Sequence, residues 1–428
     1  MNKIKQVSEL FFSLYSLFFL FLILQILNVT IFLGNKYDPI NFDFQFYLNS
    51  IKFTTLFLLL HSLIILIVKF KSIKYEFNKL TIATLFFILT IYFTMVIHTD
   101  RLVILSPTFL LLFILFILFT TLPFELKNYL VIAHLITYIN LIFVILQVLK
   151  VIPIAQENLR DSLIDIGNRP TGIFFNAFAM GYAMGILYFV FLNEIYKFKL
   201  NLNNLLGMLT TIVLIYLSGT RTVLIYIVSI TIIIFLIKKF KLEKKAKFIV
   251  YSTATFIISL PLILIFIGNI FKINELSSLN GRAQLWSCVT NKWMEFLPFG
   301  VGVQAAFPQG FCSDDPWFSK LRHPENMFLL SYVEAGFIGV LSLITIFVIA
   351  LKFSVKNLKE KEVAPFLITT LMILSSMFYV PFFHYVPFLP NRTADRGVFN
   401  FYLMILIWLI SLRIYNVNKN KSTRPKKY

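Results

Sequence analysis

The sequence predicts an all-α fold: a polytopic membrane protein of about twelve spanning helices, with both termini cytoplasmic and one large outer loop. Three observations predict it. Hydrophobic residues fill 58% of the 428 positions and charged residues only 14%, whereas a soluble domain is about half apolar and about a quarter charged. The apolar residues come in runs close to the roughly 20 that cross about 30 Å of hydrocarbon. Basic residues fall in the short gaps between runs, the pattern of membrane loops. A net charge of +19 therefore marks loops, not a nucleic-acid surface, which needs a basic patch on a soluble face.

In chain order the expected spans are 10–33, 50–68, 80–98, 102–122, 129–149, 172–192, 203–219, 221–237, 248–268, 328–351, 363–383 and 398–412. Residues 10–35 carry no charge and are read as a first span, being longer than a signal-peptide core and lacking a small-residue cleavage site. Spans 203–219 and 221–237 nearly touch at Ser218-Gly219-Thr220-Arg221. They are read as two helices joined by a tight outer turn, with a broken re-entrant pair as the alternative. Residues 1–268 thus hold nine helices with an outer segment at 150–171. The large outer loop is 269–327, three helices follow within 328–415, and 416–428 form a basic tail.

With the N-terminus inside, the inner segments hold 25 of the 39 Lys and Arg, as the positive-inside rule requires. Split by type, the count carries a second message. Eight of ten arginines fall outside: Arg101, Arg160, Arg169, Arg221, Arg282, Arg322, Arg392 and Arg396. Lysine runs the other way. The topology rule treats both alike, so it does not predict this. Either a few arginines sit at helix ends and snorkel, or they form an outward-facing anion site, since the planar guanidinium grips phosphate and carboxylate bidentately.

No inner segment exceeds about 16 residues and no GxxxxGK[ST] loop occurs, so no nucleotide-binding domain is expected inside. Chemistry would belong to the outer face, with a donor that arrives already activated. In the large loop, NGRAQLWSCVTNKWMEF reads as a helix capped by Asn280. Leu285, Trp286, Val289, Trp293 and Phe296 recur at helical spacing. It is expected on the outer membrane surface, with Arg282 at its start, or as a plain amphipathic helix that seals the bundle. Pro298-Phe299-Gly300-Val301-Gly302 reads as a turn. Asp314-Asp315 carries little weight as a metal site, and no metal or other cofactor is expected. Cys288 and Cys312, both outside, either pair or stay free.

Arg322-His323-Pro324-Glu325-Asn326 stands where the loop re-enters the membrane. Histidine suits proton transfer near neutral pH. Glu334 follows. If the helix begins at Asn326, Glu334 lies about 12 Å along it, costly unless turned inward toward a partner such as an outer arginine. If the helix begins at Ala335, Glu334 is interfacial. His61 and His134 are mid-span and read as packed. Cation-coupled carriers usually bury carboxylates in their spans and many show internal repeats. Apart from Glu334 neither feature is legible, which counts against a carrier or flippase.

The pieces GNRPTGIFFNAFAMGYAMG (167–185), LSGTRTVLI (217–225), NGRAQLW with the later FGVG, and HPENMFLLSYVEAGFIG (323–339) together resemble the bacterial O-antigen polymerase and ligase superfamily of integral membrane glycosyltransferases. Arg169 precedes Gly185 by 16 positions, similar to a polymerase spacing, whereas position 298, the same distance past Arg282, is Pro. The resemblance implies a multi-pass protein of the bacterial inner membrane whose active site faces the periplasm. Its substrates would be an undecaprenyl-diphosphate-linked oligosaccharide and a glycan or lipid A–core acceptor, and a chain-length regulator protein is a possible partner. His323, Arg221 and Arg282 would be catalytic, and Arg169, Arg322, Asn326 and Glu334 would bind substrate. Polymerase is the first reading and ligase the second.

Overall fold

The computed structural model describes residues 13, 16–17, 19–20, 22–24, 26–27, 44–69, 79–98, 114, 117–118, 126–152, 169–174, 177–197, 201–239, 286, 289–290, 292–300, 326–358 and 363–378. Among these residues there is no strand. The helices are α1 (Phe44–Lys69), α2 (Lys79–His98), α3 (Leu126–Val148), α4 (Ala177–Lys197), α5 (Leu202–Leu217), α6 (Arg221–Lys239), α7 (Met327–Leu358) and α8 (Ala364–Phe378), with a short 3-10 helix at Trp293–Phe296.

Among the described residues, three stretches are long and apolar enough to cross a membrane: Tyr129–Val148, Ala177–Tyr196 and Met327–Lys352. Shorter apolar helices at Leu56–Val68, Leu202–Leu217, Arg221–Ile232 and Ala364–Ser376 lie within further expected spans. The expected spans 248–268 and 398–412, the basic tail and both termini lie outside the described residues.

These helices are apolar on both sides, not on one stripe. Phe87, Ile136, Phe189 and Leu371 are buried, while Phe53 is 68% exposed and Ile67 72% exposed. A water-soluble helix would turn polar residues outward; here the outward face suits hydrocarbon. With no hydrophobic drive between helices in lipid, close packing depends on small residues at the contacts. α4 is the central helix, buried almost throughout and packed against α3, α5, α6 and α8. At Gly185 three helices meet: a Cβ there would lie 2.9 Å from Val223 of α6 and 3.0 Å from Leu371 of α8. At Gly207 of α5 the space is taken by Phe191 and His134.

Polar ties fix which helix ends lie together. At one end the Asn193 Oδ1 accepts the Val363 and Ala364 N–H groups (2.8 and 3.0 Å), so α4 caps the start of α8. Its Nδ2 donates to Glu194. Ser354 of α7 reaches the Pro365 carbonyl and the Thr369 hydroxyl of α8, both at 3.1 Å. The ends of α4 and α7 therefore meet the start of α8. His134 of α3 meets Asn204 of α5 at 3.1 Å and packs on Phe191 at 4.6 Å between ring centroids, as a packed histidine should. His61 is buried too, 3.5 Å from the Ser16 hydroxyl.

Candidate functional site

α5 ends at Leu217 and α6 begins at Arg221, so two continuous helices are joined by Ser218-Gly219-Thr220. The turn closes because Gly219 takes φ +65°, a conformation that costs residues with a Cβ about 1–2 kcal/mol. The Ser218 hydroxyl donates to the Ile215 carbonyl and lies 2.7 Å from the Thr220 hydroxyl. The Thr220 hydroxyl in turn reaches the Ala177 carbonyl at the start of α4, 3.3 Å away. Gly181 makes room for it: a Cβ there would lie 2.4 Å from Thr220 Oγ1.

A second segment arrives at this turn. Residues 170–174 are buried and held by two amides of α3. Gln147 Oε1 accepts the N–H groups of Thr171 (2.9 Å) and Gly172 (2.8 Å). Its Nε2 donates to the Thr171 hydroxyl (3.2 Å) and the Gly172 carbonyl (3.4 Å). Asn140 Oδ1 accepts the Ile173 N–H (2.9 Å) and stands where a Cβ on residue 172 would be, 1.8 Å away. The loop so held delivers Arg169 onto the turn. A Cβ on Gly219 would lie 2.9 Å from Arg169 Nε and 3.3 Å from Cζ, and the guanidinium also lies over the Phe178 ring at 5.7 Å. Arg221 follows at the first position of α6, exposed, with no acidic residue in that first turn. Two arginines from remote segments thus share one turn at a helix N-terminus, where the backbone itself favours anions.

The first segment of α7 folds back along the second, since the Phe328 ring lies 5.8 Å from that of Phe347. Asn326 is its N-cap: Oδ1 accepts the Phe328 N–H (2.9 Å) and the Leu329 N–H (3.1 Å). The helix then breaks at Gly336, which has φ +64° and ψ −158°. Both expected starts have a basis, because a first segment runs from Met327 and a second follows the break. Glu334, 7% exposed, is turned inward just before it. The break admits the turn at 298–300: a Cβ on Gly336 would lie 2.0 Å from the Pro298 carbonyl oxygen, and one on Gly300 2.5 Å from the Glu334 carbonyl carbon. Phe299 packs edge-on against Phe93 of α2.

The loop helix differs from its expected form. Trp286, Val289 and Phe296 are buried, the last two packing with Val333, so this face seals the bundle. Trp293 is 48% exposed, off the face its spacing suggested, and its carbonyl accepts the Tyr332 hydroxyl. The helical path is interrupted just before it: Lys292 has φ −98° and ψ 21°, and Trp293–Phe296 forms a separate 3-10 turn that Pro298 keeps from continuing as α-helix. Asn280, Arg282, Leu285, Cys288, Cys312, Asp314, Asp315, Arg322 and His323 lie outside the described residues.

Of the expected site residues, then, Arg169 and Arg221 come together at one turn, while Asn326 and Glu334 sit on the first segment of α7. The Asn326 side-chain oxygen is engaged in capping. Gly185, paired with Arg169 by spacing, is a packing position. Sequence reasoning passed over Asn140 and Gln147. Their signal was there: two amides seven residues apart in an apolar span, on one helix face, each needing a partner in hydrocarbon.

No curated protein matches the chain. Residues 206–344 match the model of the O-antigen ligase family. That stretch runs from α5 into α7 and holds Arg221, Arg282, His323 and Glu334, leaving Arg169 before it. Over residues 206–344, about a third of its length, this membrane protein is therefore similar to the O-antigen ligase family.

Proposed function

We propose that this chain is a surface-polysaccharide polymerase, joining repeat units carried on undecaprenyl diphosphate at the periplasmic face of the inner membrane. The observation that carries the reading is Arg169 laid across Gly219, beside Arg221 at the start of α6. A lipid diphosphate is the anion such an arginine turn suits, and it is also the leaving group. In the reaction an acceptor sugar hydroxyl attacks the anomeric carbon of the donor. The bond from that carbon to the diphosphate oxygen breaks, and the diphosphate leaves with the electron pair. Arg221, Arg282 and Arg169 stabilise the charge that grows there. His323 takes the hydroxyl proton, Arg322 binds substrate beside it, and Glu334 orients an arginine. Asn326 serves by fixing where α7 enters.

A ligase moving the finished glycan to lipid A–core, or to a protein, is the second reading. The description of the matching family favours it. A carrier fits less well, because Asn193 and Ser354 tie α4, α7 and α8 at the end opposite the arginines, where alternating access would have to open.

A gel of surface glycans from a strain lacking the gene tests the reading. Single repeat units on lipid A–core with long chains absent means that elongation is lost, as for a polymerase. A bare core with long chains held on the lipid carrier means that transfer is lost, which replaces polymerase by ligase. An unchanged glycan pattern overturns both.

A further inference from the structure

The two arginines of the turn differ in how they are held. Arg221 is carried by α6. Arg169 belongs to no helix, and its position is set by whatever fixes residues 170–174. That fixing is concentrated in Gln147. One primary amide makes four hydrogen bonds to two consecutive residues, accepting from the N–H groups of Thr171 and Gly172 and donating to the Thr171 hydroxyl and the Gly172 carbonyl. Gln147 is 2% exposed and Thr171 fully buried. Only Pro170, buried and fixed in φ, separates Thr171 from Arg169. A shift of the backbone at Thr171 therefore passes through a stiff residue to the guanidinium that rests on Gly219.

A loop needing only attachment is served by the apolar packing of Ile173 and Phe174, both fully buried. An amide that grips two N–H groups and two acceptors at once sets orientation as well as position. We propose that Gln147 is a positioning residue: it aims Arg169 at the diphosphate of the lipid-linked donor without touching the donor itself. The inference rests on the reading of Arg169 as a diphosphate ligand, and the test separates the two.

The test uses the purified full-length chain in detergent and undecaprenyl diphosphate as the probe. Affinity is measured for the parent, Arg169→Ala, Gln147→Leu, Gln147→Glu and the double variant Arg169→Ala/Gln147→Leu. Glutamate keeps an acceptor for both N–H groups; leucine keeps the volume and none of the bonds. Expected are a loss of about tenfold for Gln147→Leu, recovery of most of it in Gln147→Glu, and a double variant no weaker than Arg169→Ala alone, since an arginine that is absent cannot be mis-aimed. Losses that add in the double variant, or a Gln147→Leu protein that melts earlier yet binds as the parent does, overturn the positioning role and leave Arg169 as a ligand. If Arg169→Ala binds as the parent does, the reading of Arg169 falls, and the proposal with it. Should Gln147→Leu fail to accumulate, Gln147→Asn, too short to reach both N–H groups, takes its place in the same cycle, with the same outcomes deciding.

Discussion

Arg169 and Gly219 are fifty positions apart in sequence and in direct contact, with the guanidinium occupying the space a side chain at 219 would need. Gly219 therefore serves twice, closing the turn between α5 and α6 with φ +65° and leaving a bed for an arginine. Gly219→Ala should cost about 1–2 kcal/mol in the turn and push Arg169 aside. Chain synthesis per molecule in the membrane should fall about tenfold or more, a larger loss than the fall in protein amount. A glycan gel normalised to an immunoblot reads both. Normal synthesis per molecule would separate Arg169 from the reaction.

Arg221→Lys keeps the charge and removes the planar fork. If Arg221 grips a diphosphate bidentately, the variant should lose most activity, roughly tenfold or more, at unchanged membrane level. Near-normal chain synthesis by a well-expressed Arg221→Lys protein would count against the clamp.

His323→Ala should be inactive while insertion and amount stay as in the parent, because a general base contributes about 10²–10⁴-fold. Full activity removes His323 from the mechanism.

Asn193→Leu makes the contrasting case. It removes the cap from α8 at the end away from the arginines. A lost cap costs about 0.5–2 kcal/mol, so melting in detergent should come earlier while activity per folded molecule holds. An activity loss with unchanged melting would give Asn193 a role beyond capping.

The legible part of this protein was what repeats along the chain. Apolar runs of fixed length announce spanning helices because a bilayer imposes one thickness, and α1 to α8 fall within or closely over expected runs. The turn at 218–220 was legible for a related reason, a Gly flanked by Ser and Thr between two apolar runs. The Trp293 face was not, since the helical path is interrupted at Lys292 (φ −98°, ψ 21°) just before it, and a separate 3-10 turn begins there.

Chain order and residue type thus sufficed for the described helices and for the resemblance on which the proposed function rests. They left open which arginine meets which turn. Nothing local to Arg169 points to Gly219, and nothing local to Gln147 points to Thr171. Those pairings come from helix packing, in which Gly181 and Gly185 bring α4 close to the turn and α6, and from the cost of leaving an amide unpaired in hydrocarbon. Both are properties of several segments at once, so no single stretch of sequence carries them.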